Sequence, residues 1–282
     1  APRKTMKAVI SASRRTDLAA FFPDWLASAL AAGSVEVRGP RGRTRTVDLR
    51  PESVHTIVLW SKDFSNLIGN RHGLRTELER YDQLSALFTI TGLGGTRIEP
   101  AAPSPAAALA QLPGLVAAAG SPRRVSLRFD PIFAWREGSE ARSNLPFFEV
   151  LAERAAERGI RDIRFSFVQK YRRAARRALE NGIELIDPEP GEMAESVARM
   201  AEIARVHGLL LHACAQPFLA GPEVARSSCI DGRLLNALHP RGERASEAED
   251  RSQRPGCGCT VSVDIGSYEQ ACRHGCVYCY AQ

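Results

Sequence analysis

Seven short apolar runs, at residues 8–12, 56–60, 86–90, 125–129, 163–168, 209–213 and 260–265, alternate with longer stretches of helical spacing. This alternation limits what the chain can fold into. Strands separated by a helix-length crossover pair in parallel, since only a long connection returns the chain to the same end of a sheet. Most of the runs are near-continuously apolar, as expected of strands covered on both faces. Asn144 and Pro146 read as the start of a helix that runs through Leu151 and Ala155 to Gly159. Met193, Val197, Met200, Ile203 and Val206 recur at helical spacing and read as a core-facing stripe. The expected fold is α/β, a parallel (β/α) partial or full TIM-like barrel in one domain over residues 1–282. Residues 34–49 read as an inserted β-hairpin with Gly39, Pro40 and Gly42 at its turn, and the polar stretch 241–255 reads as an exposed loop.

Composition narrows the class further. The chain has 282 residues, 44% hydrophobic and 25% charged, which suffices for a sizeable core without disulfides and argues against a disordered or collagen-like chain. No apolar stretch reaches 18 residues; the nearest, 105–120, is broken by Gln111, Pro113 and Gly114. The first residues carry basic groups but no apolar run of a secretory signal, so the expectation is a soluble, cytoplasmic protein with no membrane partner. The formal charge of +6 points weakly to nucleic acid, because all but four of the 38 basic residues are arginines in an alanine-rich chain, the usual mark of GC-rich coding.

In parallel α/β folds the chemistry sits at the C-terminal ends of the strands. Those ends are polar here. Ser11, Ser13, Arg14, Arg15 and Asp17 follow the first run, Ser61, Lys62 and Asp63 the second, and Thr89 and Thr91 surround the third. Arg128 and Asp130 flank the fourth, Ser166, Gln169 and Lys170 the fifth, and His212 and Cys214 the sixth. Arg14, Asp17, Lys62, Asp130 and Lys170 are the catalytic candidates, and Ser11 and Ser13 are candidates for holding a cofactor. For Arg15 and Asp17 the competing reading is a local ion pair at a helix start. His212 reads as a site residue or a satisfied core histidine; His55, His72, His207 and His239 read as surface or capping groups.

All seven cysteines fall after residue 213: Cys214, Cys229, Cys257, Cys259, Cys272, Cys276 and Cys279. In a cytoplasmic chain such clustering favours metal or redox chemistry over disulfides. Cys272, Cys276 and Cys279 form C-x3-C-x2-C, with Tyr278 just before the last cysteine. Three thiolates on a short loop hold three irons of a 4Fe–4S cubane and leave the fourth open. His274, between two of them, reads as shaping the loop. Cys214, Cys229, Cys257 and Cys259 remain as a complete set for a second 4Fe–4S cluster or a zinc ion, provided that they converge. Otherwise they are buried inert thiols and a redox pair.

The spacing and its aromatic residue resemble the signature of the radical S-adenosylmethionine superfamily, and the wording from His274 to Ala281 resembles its spore photoproduct lyase branch. From Ile10–Asp17 to the 264–281 segment, the whole chain also resembles a bacterial family of unknown function. The superfamily resemblance implies a TIM-like barrel in which Cys272, Cys276 and Cys279 bind a 4Fe–4S cluster, and the open iron chelates S-adenosylmethionine. It also implies that backbone near Tyr278 contacts the adenine, and that an electron from a donor such as flavodoxin or ferredoxin yields a 5′-deoxyadenosyl radical. The substrate is open, with nucleic acid or a nucleotide suggested by the branch. The motif ends this chain instead of following the first strand, which implies circular permutation, with 260–265 as the first barrel strand. Gly94-Gly95-Thr96 does not match the Gly-Gly-Glu that holds the cofactor's amino end in the superfamily. The alternatives are an iron–sulfur electron-transfer or sensor protein, and a zinc-stabilised nucleic-acid-binding protein. Arg172, Arg173, Arg176 and Arg177 after Tyr171 are the stripe the last of these needs, and they read more simply as a solvated helix face.

Overall fold

The structure, a computed structural model, describes residues 6–38 and 43–279. The strands are β1 (Ala8–Ala12), β2 (Ser34–Arg38), β3 (Thr44–Asp48), β4 (Val54–Ser61), β5 (Leu84–Thr89), β6 (Val125–Ile132), β7 (Ala134–Glu137), β8 (Glu140–Ser143), β9 (Asp162–Phe167), β10 (Glu184–Ile186), β11 (Leu210–Ala213), β12 (Val224–Arg226) and β13 (Val263–Asp264). The helices are α1 (Leu18–Phe21), α2 (Pro23–Ala32), α3 (Ser65–Ile68), α4 (Leu74–Leu78), α5 (Pro105–Leu109), α6 (Leu112–Ala119), α7 (Phe147–Glu157), α8 (Arg172–Glu180), α9 (Pro190–Val206) and α10 (Gly232–Leu238).

Eight strands form one sheet in the order β12-β11-β9-β6-β5-β4-β1-β13. Every pairing in it is parallel. All seven expected runs lie in this sheet. The eighth member, β12, is three residues long with two exposed, too short and polar to stand out in the sequence. The order climbs steadily from β1 to β12, and β13 adds outside β1. A steady order with crossovers of one hand puts the connecting helices on one face. The sheet is open, with β12 and β13 as its edges, so the expected full barrel is not closed among the described residues.

One face is apolar and covered by helices: Ile10, Leu59, Phe88, Phe129 and Phe165 share a core with Leu26, Leu30, Leu67, Leu115, Leu151 and Met200. Burying each such side chain stabilises the fold by roughly 1.5–3 kcal/mol. The α9 stripe joins this core through Met200, with Met193, Val197 and Ile203 packed against it, while Val206 at the helix end is exposed.

The other face corrects the expectation of strands apolar on both sides. In β6, Ser126, Arg128 and Asp130 alternate with Val125, Leu127 and Phe129. Register partners in parallel strands share a face, so Arg128 stands beside Arg164 of β9, and Arg164 beside His212 of β11. This second face is partly filled by the chain after β12. Val9, Val58, Trp60 and Leu87 pack there with Ile230, Leu235, Ala245 and the buried Cys214, Cys229 and Cys259.

Two smaller sheets complete the architecture. β2 and β3 form the expected antiparallel hairpin, from Ser34 opposite Asp48 to Arg38 opposite Thr44; its proposed turn at Gly39, Pro40 and Gly42 lies outside the described residues. β10, β7 and β8 form an antiparallel sheet that the sequence reading missed. Asn144 sits in the turn that opens α7, as expected, and is also a buried bracket. Its amide donates to the Thr91 and Pro131 carbonyls, and its oxygen accepts from Phe133 N, tying the end of β5 to that of β6. No helix among the described residues is long and apolar enough to cross a membrane.

Candidate metal centre

The cysteine loop leaves β13 and is fastened to the strand ends residue by residue. His274, buried between Cys272 and Cys276, places Nε2 2.8 Å from Asp17 Oδ2 and Nδ1 3.3 Å from the Ala101 carbonyl. Both ring nitrogens are engaged, so His274 shapes the loop. Val277 N donates to Ile98 O, and the Val277 side chain is buried among Leu93, Phe133 and Leu185. Arg177 of α8 donates to the carbonyls of Cys276 at 3.5 Å and Cys279 at 3.0 Å. That is a correction to the solvated-face reading of Arg177: helical spacing shows which residues share a face but not what the face meets. Gly275 has φ +71°, and a Cβ there would lie 3.0 Å from Pro100 Cγ, so this turn requires glycine.

The three thiols lie close enough to act on one another electrostatically. Cys276 is buried, while Cys272 and Cys279 are half-buried. Burial pushes the Cys272 thiol up to about 11 and the Cys276 thiol up to about 12; Asp17 and then Cys279 add to the rise at Cys272, and Glu99, Cys279 and Cys272 at Cys276. Thiols held this way ionise only when a cation takes the proton's place. Three neighbouring thiols on one short loop, two of them half-buried, suit a cluster bound through three of its irons.

Beside Cys276 lies a charged network the sequence reading saw only in part. Lys62 Nζ is 2.9 Å from Glu99 Oε1, and the same oxygen accepts from Thr91 Oγ1 at 2.7 Å and from the Tyr278 hydroxyl. Glu99 is 2% exposed. Burial opposes both charges, but the partner outweighs it in each case, so Lys62 sits above its ordinary range and Glu99 below. Burial, followed by the Glu99 charge, holds the Tyr278 hydroxyl well above the usual phenol range. Nothing local marks Glu99. It lies 179 positions from Tyr278, and only the fold joins them.

At the end of β1 the candidates prove to be braces. Asp264 accepts from Ser11 Oγ at 2.8 Å, Ser13 Oγ at 2.7 Å, Arg14 N at 2.8 Å and Gly266 N at 3.1 Å. Ser11 and Ser13 are buried and spend their hydroxyl protons here, so their partners indicate a brace across β1 and β13 and not the cofactor contact expected of them. Asp17 is buried and accepts from Ser61 Oγ, Lys62 N and Ala20 N besides contacting His274. It caps α1 and ties the β4 end to the loop. The local Arg15–Asp17 pair is not formed; Arg15 donates to Gly266 O at 2.9 Å. Arg14 and Arg128 each lie 5.3 Å from the Trp60 ring centre. Asp130 pairs with Arg128 and accepts from Ser166 Oγ at 2.5 Å.

The other four cysteines also converge. Cys214 Sγ lies 3.7 Å from Cys229 Sγ. Cys229, Cys259 and Cys257 in turn lie close enough to act on one another's thiols. The Cys229 hydrogen bond and then burial hold Cys214 well above the usual thiol range, whereas the Cys259 contact lowers Cys257 to about 7. Ile230 N donates to Cys259 Sγ at 3.4 Å.

Several candidates fall elsewhere. Lys170 is half-exposed and 3.5 Å from Asp187 in a surface pair. His212 is paired with Asp162 at 2.9 Å. His55 and His239 are not surface groups: both are buried, with ring centres 4.3 Å apart. Asp82, His239 and Glu243 bring ligand atoms within 4.8 Å of one another. Lys7 already lies 2.5 Å from Glu243 and 3.6 Å from Asp82, and Arg241 3.0 Å from Asp82, so cations of the chain itself neutralise this group. A cavity of about 400 Å³ lies between the 92–98 segment and the β10-β7-β8 sheet, and none of the cysteines lines it.

A family model described as "Domain of unknown function (DUF1848)" matches residues 9–281. Neither a curated protein nor a solved structure matches the chain.

Proposed function

The chain belongs to that family of unknown function, and we propose that its members with this loop are radical S-adenosylmethionine enzymes built on a circularly permuted partial barrel. The observation that carries the proposal is the place of the loop. β13, the strand leading into Cys272, Cys276 and Cys279, lies parallel to β1 at the sheet edge, with Val263 opposite Ile10 and Asp264 opposite Ser11. Read from β13, the sheet order becomes β13-β1-β4-β5-β6-β9-β11-β12, a steady series with the cysteine loop following its first member. A barrel's strand order is indifferent to where the chain is cut, which is why such a permutation keeps the loop beside the same strand ends.

In this reading Cys272, Cys276 and Cys279 hold a 4Fe–4S cluster. When bound, the cluster supplies the electron that cleaves S-adenosylmethionine, after a flavodoxin- or ferredoxin-type donor has reduced it. The residues around it then have defined tasks. Asp17 and His274 fix the first half of the loop. Glu99 receives Tyr278 and so sets the backbone just before Cys279. Arg177 turns the carbonyls of Cys276 and Cys279 toward α8. Lys62 places a positive charge beside the buried Cys276 sulfur, which favours its thiolate. Arg14, Arg128 and Asp130 supply charged groups at the strand ends for a polar ligand.

The test is anaerobic reconstitution with iron and sulfide, reduction with dithionite, and assay of 5′-deoxyadenosine formed from S-adenosylmethionine. The reading requires its formation by the unaltered chain and its loss in Cys276→Ala. Equal formation by both would reject it.

A further inference from the structure

We propose that Cys214, Cys229, Cys257 and Cys259 ligate a second iron–sulfur cluster, separate from the 272–279 loop and facing the same strand ends. The four come from different segments. Cys214 follows β11, Cys229 follows β12, and Cys257 and Cys259 precede β13. The chain uses specific devices to bring them together. Cys214 N donates to Phe165 O at 2.7 Å, continuing the β9–β11 ladder and fixing this thiol at the strand end. Thr260 N donates to Ile230 O at 2.9 Å, which draws the Cys257-Gly258-Cys259 turn onto the Cys229 segment. A Cβ at Gly258 would lie 2.8 Å from the Ser227 carbonyl oxygen, so only glycine allows that approach.

The chemistry of the surroundings suits several thiolates held together. Arg254 and Arg128 lie close enough to act electrostatically on Cys214, and Arg14 on Cys259. One nitrogen of Arg14, Nη2, is buried without a partner. Ile230 N–H and Ser227 Oγ approach the sulfurs of Cys259 and Cys229, as polar groups around cluster-bound thiolates do. Arg128 already has Asp130 as its partner, but the buried Arg14 Nη2 has none, and an anionic four-thiolate cluster beside it would balance that charge.

The spread of the sulfurs favours a cluster over zinc. Bonds of ~2.3 Å in a tetrahedron put all sulfurs ~3.8 Å apart around one zinc ion. Here only the Cys214–Cys229 pair, 3.7 Å apart, has that spacing, and no three cysteine sulfurs among the described residues lie all within 4.8 Å of one another, so the set as a whole is wider than one ion holds. A cubane separates its ligands more, since each binds a different iron. Ligation exchanges each S–H bond for an S–Fe bond and releases the proton to water; iron and sulfide come from the assembly mixture.

The experiment counts iron and zinc in the full chain carrying Cys272→Ala, Cys276→Ala and Cys279→Ala together, reconstituted anaerobically with iron and sulfide, with Mössbauer spectra of the bound iron. The expected result is about four irons per chain with a cubane spectrum, and loss of that iron on adding Cys257→Ala. Cys257 is the least buried of the four, so its loss spares the core, and a cooperative thermal melt checks that the variant is folded. No bound iron in the triple variant, or one zinc in its place, overturns the proposal. The proposal stands apart from the radical-enzyme reading: a triple variant with as much iron as the unaltered chain would sink that reading and leave this one standing.

Discussion

The two cysteine sets differ in how they are made. Cys272, Cys276 and Cys279 lie within eight residues, and their spacing alone keeps three thiols on one short loop. Cys214, Cys229, Cys257 and Cys259 span 46 residues and meet only because β11, β12 and the segment before β13 close over the polar face of the sheet. The first set is local in the chain but depends on distant residues, Asp17, Glu99 and Arg177, for its orientation. The second set is distant in the chain but is fixed mainly by backbone pairing. A local motif thus borrows its rigidity from the fold, while a dispersed one is the fold.

That contrast can be broken by substitution, and the largest effect is expected at the loop. Cys276→Ala should reduce formation of 5′-deoxyadenosine from S-adenosylmethionine to the background of the protein-free mixture, with the iron of the four-cysteine set retained. Glu99→Leu comes next. It leaves Lys62 buried without its partner and the Tyr278 hydroxyl without an acceptor, and breaking a buried pair this way costs about 3–5 kcal/mol. Urea unfolding should show that loss, and iron in the loop should fall with it.

Acid should act on the other set. His55 and His239 are buried against each other where the chain after α10 returns to the sheet, and His55 Nε2 lies 3.1 Å from the Glu243 carbonyl. Burial lowers both histidines below the usual value, against the charges of Glu243 and, at His239, Asp82, and with that of Lys7. Their folded values lie below the unfolded value of 6.5, so the stability they contribute is present above pH 6.5 and is lost as pH falls through the folded values. Hydrogen exchange at falling pH should loosen residues 230–245 before 272–279; the reverse order would contradict the assignment of the pair. The smallest effect is expected from Lys170→Ala, which breaks only an exposed pair with Asp187. It should change stability by no more than about 1 kcal/mol and leave S-adenosylmethionine cleavage unaltered.

Much of this was legible in the sequence. The seven apolar runs became seven strands of one sheet, because each must cover the helix-packed face with apolar side chains. The cysteine loop was legible as a unit because its three thiols lie within eight residues. What escaped depends on distance in the chain. β6 and β9 carry Arg128, Asp130 and Arg164 on one face, but a run of apolar residues around them hides the alternation. Glu99 follows a loop of ordinary composition, and Arg177 looks like any surface arginine of a helix. Ser11 and Ser13 stood at the right strand end for the wrong task, since Asp264 arrives from the other end of the chain to take their protons.

The most direct measurement is the product formed by the anaerobically reconstituted, dithionite-reduced chain with S-adenosylmethionine. The account predicts 5′-deoxyadenosine from a protein carrying about eight irons, four at each cysteine set. A protein with a full iron complement that leaves S-adenosylmethionine intact would contradict it.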